Sequence, residues 1–356
     1  MRNKLFQEGG LHRIRHTGGD RYEMKVSIPT DAEGRTARAC PDSTCSPGYF
    51  KVLGGTGIVE DQEQAFCPYC RHADEPNAFY TEEQIRYAKD IATREAISGV
   101  ERMLKDSLGL GGRSKRTLDG GLLSIEMSLK SSPQPPVRRP FEDEVRRDVI
   151  CPHCGLDQSV YGLATWCADC GVDIFLTHVE AEIAVVRAML ADVPRRRESL
   201  GRRTAAKDLE NCLEDTVSIF EAVLRAIVRR HHQEMGMSQE AVDQVFHKKI
   251  RNGFQNVQRA AELINAEIDV FLFDGILESQ VEFLARVFEK RHPITHNLGV
   301  VDRKYIDKAQ TAEREGREVF VSAREIEAAL EISLAVFRSL LKRLFALSTD
   351  PAMNAG

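Results

Sequence analysis

The chain holds 356 residues, 42% apolar and 29% charged, enough to bury more than one core. Its 49 Lys and Arg against 54 Asp and Glu give a formal net charge of −5, which excludes a generally basic nucleic-acid-coating protein but leaves room for local basic patches. No stretch approaches the ~20 apolar residues of a membrane span. Met1 to His16 carries three Arg and lacks the apolar core of a secretory signal, so the expected location is cytoplasmic, with no membrane partner.

In chain order, residues 1–108 read as a first cysteine module plus a helix, of which 1–80 are turn-rich, with Gly54, Gly55 and Gly57 after the β-like run Tyr49–Leu53. A helix is predicted from Thr81, an N-cap followed by Glu82 and Glu83 where acidic groups suit the helix dipole. Its apolar positions (Ile85, Ala88, Ile91, Ala92, Ile97) recur at helical spacing and fade by Gly109. Residues 109–140 (Gly109, Gly111, Gly112, Gly120, Gly121, then Ser131-Ser132-Pro133-Gln134-Pro135-Pro136) read as a Gly/Pro-rich linker. Residues 141–204 hold a second cysteine module, a helix from about Thr177 to Leu190, and a basic connector. From 205 to 348 four amphipathic stripes predict a helical bundle, and 349–356 is a tail. The stripes are Leu209, Leu213, Val217, Phe220, Leu224, Ile227, Val228; Ala260, Leu263, Ile264, Ile268, Phe271; Leu277, Val281, Leu284, Phe288; and Ile326, Leu330, Leu334, Phe337, Leu341, Leu344.

Nine cysteines in a reducing compartment call for something other than disulfides. Cys151-Pro152-His153-Cys154 and Cys167-Ala168-Asp169-Cys170-Gly171 are two C-x2-C knuckles separated by twelve residues, a spacing that predicts one four-cysteine zinc site. Cys40, Cys45, Cys67 and Cys70 form a looser set and predict a second. Both modules resemble zinc ribbons. Closed sites of this kind are structural, because no coordination position is left for substrate. Cys67-Pro68-Tyr69-Cys70 also has the letters of a glutaredoxin redox motif, but a Pro at position 76 follows where that motif would open a helix. A zinc deaminase reading of His178-Val179-Glu180 fails because those residues follow the cysteines. Cys212, on an apolar stripe, is expected to be a buried small hydrophobe.

The run Arg291-His292-Pro293-Ile294-Thr295-His296-Asn297-Leu298-Gly299-Val300-Val301-Asp302 concentrates polar chemistry directly after an apolar helix. Five residues rotate an ideal helix by about 140°, so Arg291 and His296 converge only if Pro293 bends the chain near His292. Arg suits phosphoryl charge and His suits proton transfer near neutral pH. The plain alternative is a solvated helix end.

This run resembles the R-x4-6-H motif of the HEPN superfamily, and residues of about 205–348 are similar to a HEPN helical domain. Glu221 with Arg225 resembles a further motif of some branches. The resemblance implies a domain that dimerises to bring two motifs into one cleft, and metal-independent endoribonuclease activity of the kind found in toxin–antitoxin and antiviral systems. It also implies an antitoxin or regulatory protein as partner. Branches governed by nucleotidyltransferases often carry Tyr two positions after the His, where this chain has Leu298.

The expected architecture is therefore mainly α: a HEPN-like bundle preceded by two small α+β zinc-ribbon modules. The expected activity is RNA cleavage by internal 2′-hydroxyl attack. His296 transfers protons, Arg291 stabilises charge, and His292 and Asn297 orient substrate or fix a tautomer. Arg195, Arg196, Arg197, Arg202 and Arg203 would contact RNA backbone, or form a merely solvated connector. The other reading is a non-catalytic zinc-binding scaffold whose helical domain dimerises and binds nucleotides or proteins.

Overall fold

Strands of two to six residues cannot bury a core alone, and the N-terminal half solves this by pooling them. The computed structural model describes residues 6, 13–19, 21–110, 115–119, 124–130 and 133–345. β1 (Arg13–Gly18) and β2 (Arg21–Lys25) form a hairpin at the start of the chain. β3 (Arg35–Ala39) and β4 (Tyr49–Leu53) pair antiparallel, and β5 (Ala65–Phe66) and β6 (Ala73–Asp74) flank Cys67–Cys70. α1 (Glu82–Ser107) starts at the predicted Thr81, whose side chain and that of Gln84 cap each other's backbone N–H groups.

Within the expected linker, β7 (Lys115–Asp119) and β8 (Ser124–Ser128) pair as a hairpin. Its Gly111, Gly112, Gly120, Gly121, Ser131 and Ser132, like the tail 349–356, lie outside the described residues. β9 (Arg147–Ile150) and β10 (Asp157–Val160) then flank Cys151–Cys154.

The two cysteine modules are not separate. One four-stranded sheet runs β3-β4-β10-β9, with Val52, Lys51 and Phe50 of β4 opposite Gln158, Ser159 and Val160 of β10. One core beneath it joins Phe50, Phe79, Val149, Leu156, Val160 and Ile174 to Cys67, Cys151 and Cys167. Buried charges also cross the seam, with Arg35 of β3 pairing Asp157 at 3.0 Å and Asp148 at 3.4 Å. Lys51, also buried, pairs Asp31 at 2.9 Å and Glu142 at 3.2 Å.

The C-terminal half is helical: α2 (Phe175–Leu200), α3 (Arg202–Glu234), α4 (Gln239–Val245), α5 (Val257–Ile268), α6 (Glu278–Glu289), α7 (Arg291–Asn297), α8 (Arg303–Ala309) and α9 (Ala323–Phe345). α2 is longer than the predicted Thr177–Leu190 and passes through Pro194. Its Phe175, Val179, Ile183, Val186 and Leu190 belong to the bundle core, so this helix joins the bundle rather than the second cysteine module. Gly201, at φ +92°, makes the tight turn into α3.

Phe220 of α3 sits at the centre, its ring 5.2 Å from that of Phe288 and 5.6 Å from that of Phe337. The predicted stripes are otherwise buried or half-buried, except Phe271 and Leu277. Both are exposed, because α5 ends at Asp269 in the left-handed conformation and α6 starts only after Leu277. No helix among the described residues is long and apolar enough to cross a membrane.

Candidate functional site

Each cysteine group is drawn together by tight turns at strand ends. In three of them the residue after the second Cys donates its N–H to the first Cys carbonyl: Arg71 to Cys67 (3.0 Å), Gly155 to Cys151 (2.9 Å) and Gly171 to Cys167 (3.0 Å). Two knuckles lie side by side, with Phe66 N–H donating to the Ala168 carbonyl and Trp166 N–H to that of Pro68. Gly171 is required there, because a Cβ would meet the Phe66 ring at 2.9 Å.

Sγ–Sγ distances are 3.7 Å for Cys40–Cys70, 3.6 Å for Cys45–Cys67, 3.7 Å for Cys151–Cys170 and 3.5 Å for Cys154–Cys167. Four thiolates about 2.3 Å from one ion form a tetrahedron with edges of about 3.8 Å. The donor set and its size fit, and each group could hold one metal ion. Cys67 leads into a strand rather than a helix, so the redox arrangement is not formed. Cys212 is buried in the bundle core, and burial pushes its thiol up to about 11. His178 is also buried, its Nδ1 accepting from Ala164 N–H at 2.9 Å.

The R-x4-H segment departs from expectation. α6 ends at Glu289, Lys290 keeps helical dihedrals, and α7 runs unbroken from Arg291 to Asn297. Pro293 is the third residue of α7, where a missing N–H costs little because that group lacks an intrahelical partner anyway. No bend forms at His292, and Arg291 and His296 stay about 140° apart around the helix. The pair that shares a face is His292 with His296, ring centroids 5.1 Å apart.

His296 is exposed and His292 half-buried, with His292 Nε2 3.9 Å from Asp302 Oδ2. Burial, then the nearby Lys304, holds His292 below the usual imidazole range, against the pull of Asp302. Asn297 is occupied structurally, its Nδ2 donating to the Val300 carbonyl at 2.8 Å. Asp302 caps α8 through Tyr305 N–H at 2.7 Å, and Tyr305 itself is buried.

Arg291 is held from elsewhere. It donates to Gln255 Oε1 at 2.8 Å, and Gln255 Nε2 donates to Glu221 at 2.7 Å. Glu221 pairs Arg225 at 2.9 Å. The Glu221–Arg225 pair is thus tied to the motif by Gln255, a residue in the short turn Gly253–Gln255 that no sequence pattern singles out.

The basic cluster is helical rather than a connector: Arg195, Arg196 and Arg197 end α2, and Arg202 and Arg203 begin α3. Arg195 pairs Asp192 (2.6 Å), Arg196 pairs Asp208 (2.6 Å) and Arg203 pairs Glu210 (2.7 Å). Of these five, Arg197 and Arg202 have no carboxylate partner among the described residues. Comparison with known protein families, with curated proteins and with solved structures finds no match.

Proposed function

We propose that the helical half is a HEPN-type, metal-independent endoribonuclease, and that the two cysteine groups hold structural Zn²⁺, the ion favoured by four thiolates in a tetrahedron. The observation that carries the reading is the exposed His296, set one turn from the half-buried His292, with Arg291 on another face of the same helix and tied through Gln255 to Glu221. RNA supplies its own nucleophile. A base takes the 2′-proton, the 2′-oxygen bonds to phosphorus, and the 5′-oxygen leaves with a proton from an acid. His296 does the proton transfer and Arg291 neutralises the phosphoryl oxygens. His292, held below the usual imidazole range, serves as a neutral neighbour. Asn297 keeps a role in shaping the turn.

A second reading, a non-catalytic dimer that binds nucleotides or proteins, draws on one observation. Within a single chain Arg291 and His296 lie on different faces of α7, so one chain alone does not bring them to one phosphate, which a domain that only binds does not need.

Incubating the purified protein with RNA and mapping the ends tests both. His296→Ala should abolish cleavage with fold and dimer intact. Arg291→Ala should lower the rate by about 10²–10³, and a deoxyribose at the cleaved position should block it. Brief treatment with a chelator should leave the chemistry unchanged, although prolonged stripping should unfold the cysteine half. Cleavage of the deoxy substrate, or full activity in His296→Ala, favours the scaffold.

A further inference from the structure

Three knuckles make the same turn, and two place glycine after the second cysteine: Gly155 at φ +77° and Gly171 at φ +65°. The third places Arg71 there, at φ +62°. That left-handed conformation costs a residue with a β-carbon free energy that glycine is spared. Strain of this kind persists where the side chain does something.

Arg71 is exposed, has no carboxylate partner among the described residues, and lies over the Trp166 ring 4.3 Å from its centroid. Arg230 of α3 packs on the same ring at 4.7 Å. These groups line a cavity of about 590 Å³ between the knuckle and α3, large enough for a nucleotide. Tyr161 adds aromatic surface, and Arg225 and Arg229 enter from α3.

Charge decides what this cleft can take. Four arginines line it against one carboxylate, Glu234, with Cys45 and Cys70 also among the lining residues. Arg230 is committed to Asp173 and Glu234, and Arg225 and Arg229 pair Glu221 and Asp243 while remaining a third or more exposed. Arg71 is the uncompensated cation. Planar guanidinium groups beside aromatic rings suit a chain of phosphates that also carries flat bases. The cleft also has a direction. Arg229, Arg225 and Glu221 follow one face of α3, and Glu221 leads through Gln255 to Arg291.

We propose that this cleft binds single-stranded RNA, with Arg71, Arg225 and Arg229 holding phosphates and Trp166 and Tyr161 flanking a base. The proposal deepens the ribonuclease reading of α7, and rests on it, by assigning the substrate's path.

The test is fluorescence anisotropy of a labelled oligouridylate of about a dozen nucleotides, using full-length protein carrying His296→Ala so that the RNA survives. Arg71→Gly removes the cation and the backbone strain together. It should keep its metal and melt no lower than the parent, yet bind about tenfold more weakly, with the slope of log affinity against log salt reduced by about 0.7. Arg229→Ala, on α3 away from the knuckle, should change affinity and slope in the same way.

Parental affinity in both variants overturns the proposal. So does equal affinity for inorganic polyphosphate or a phosphoserine peptide, which would make the cleft a general anion site. If Arg71→Gly loses metal, the stack on Trp166 is structural and Arg229→Ala alone decides. Undiminished binding in the variants alongside RNA cleavage by the native protein discards the cleft and leaves the α7 reading standing. Cleft-dependent binding without cleavage does the reverse.

Discussion

Replacing Gln255 with Leu should cut Arg291 loose. The Gln255 amide does two things at once, accepting from Arg291 at 2.8 Å and donating to Glu221 at 2.7 Å. Leu has a similar volume and does neither. Hydrogen bonds to charged groups contribute about 1.5–3 kcal/mol each. All three residues are half-buried, so water recovers part of that and the net loss should be about 2 kcal/mol. For a helical unit of this size the melting temperature should fall by roughly 4–8 °C in calorimetry. Arg291 keeps its charge but loses its anchor, so the proposed RNA cleavage should slow about tenfold in kcat with little change in KM. Gln255→Glu is the sharper control. It can still accept from Arg291 but faces Glu221 with a second carboxylate, so its defect should be largest at alkaline pH and shrink on acidification. An unchanged melting temperature together with unchanged kcat in Gln255→Leu would refute the reasoning.

With an ion in each cysteine group, as proposed, Cys154→Ser should release both, because the knuckles Cys67–Cys70 and Cys167–Cys170 share hydrogen bonds and one core. Metal analysis finding one ion still tightly held would mean that the modules fold independently. Burial holds His232 and His292 below their usual value of 6.5, so the unfolded chain takes up protons that the folded chain refuses. Their contribution is intact above pH 6.5 and is lost as pH falls from there toward the lowered folded values. Denaturant melts between neutral pH and about pH 5 should show this decline, and His232→Gln should flatten it; an identical slope in that variant would rule His232 out as a source.

Local chemistry was legible in the sequence and distant pairing was not. The spacing of Cys151, Cys154, Cys167 and Cys170 is a property of two turns, and the geometry follows it. The steps of seven, four and four residues between Leu213, Phe220, Leu224 and Val228 on α3 follow from the 3.6-residue period. By contrast, β4 meets β10 more than a hundred residues along the chain, a pairing set by shared burial of Phe50 and Val160. Pro194 does not end α2, which runs on to Leu200 with Val193 buried and Arg196 paired to Asp208 of α3. Pro293 reads as a bend, yet its position in the first turn of α7 removes the penalty. Gln255 left no trace in sequence, since a lone amide in a turn has no period and no motif.

The pairing of β4 with β10 means that the chain leaves the sheet after Leu53 and rejoins it at Arg147. A protease site placed in the Pro-rich stretch 133–140 would therefore sever the chain without separating its ends. The first piece would keep β3, β4 and one complete set of cysteines, and the second would keep β9, β10, the other set and the whole bundle. Expressed as two genes, such halves would reassemble along the β4–β10 edge and make the protein's integrity depend on concentration, a handle for switching it on by mixing.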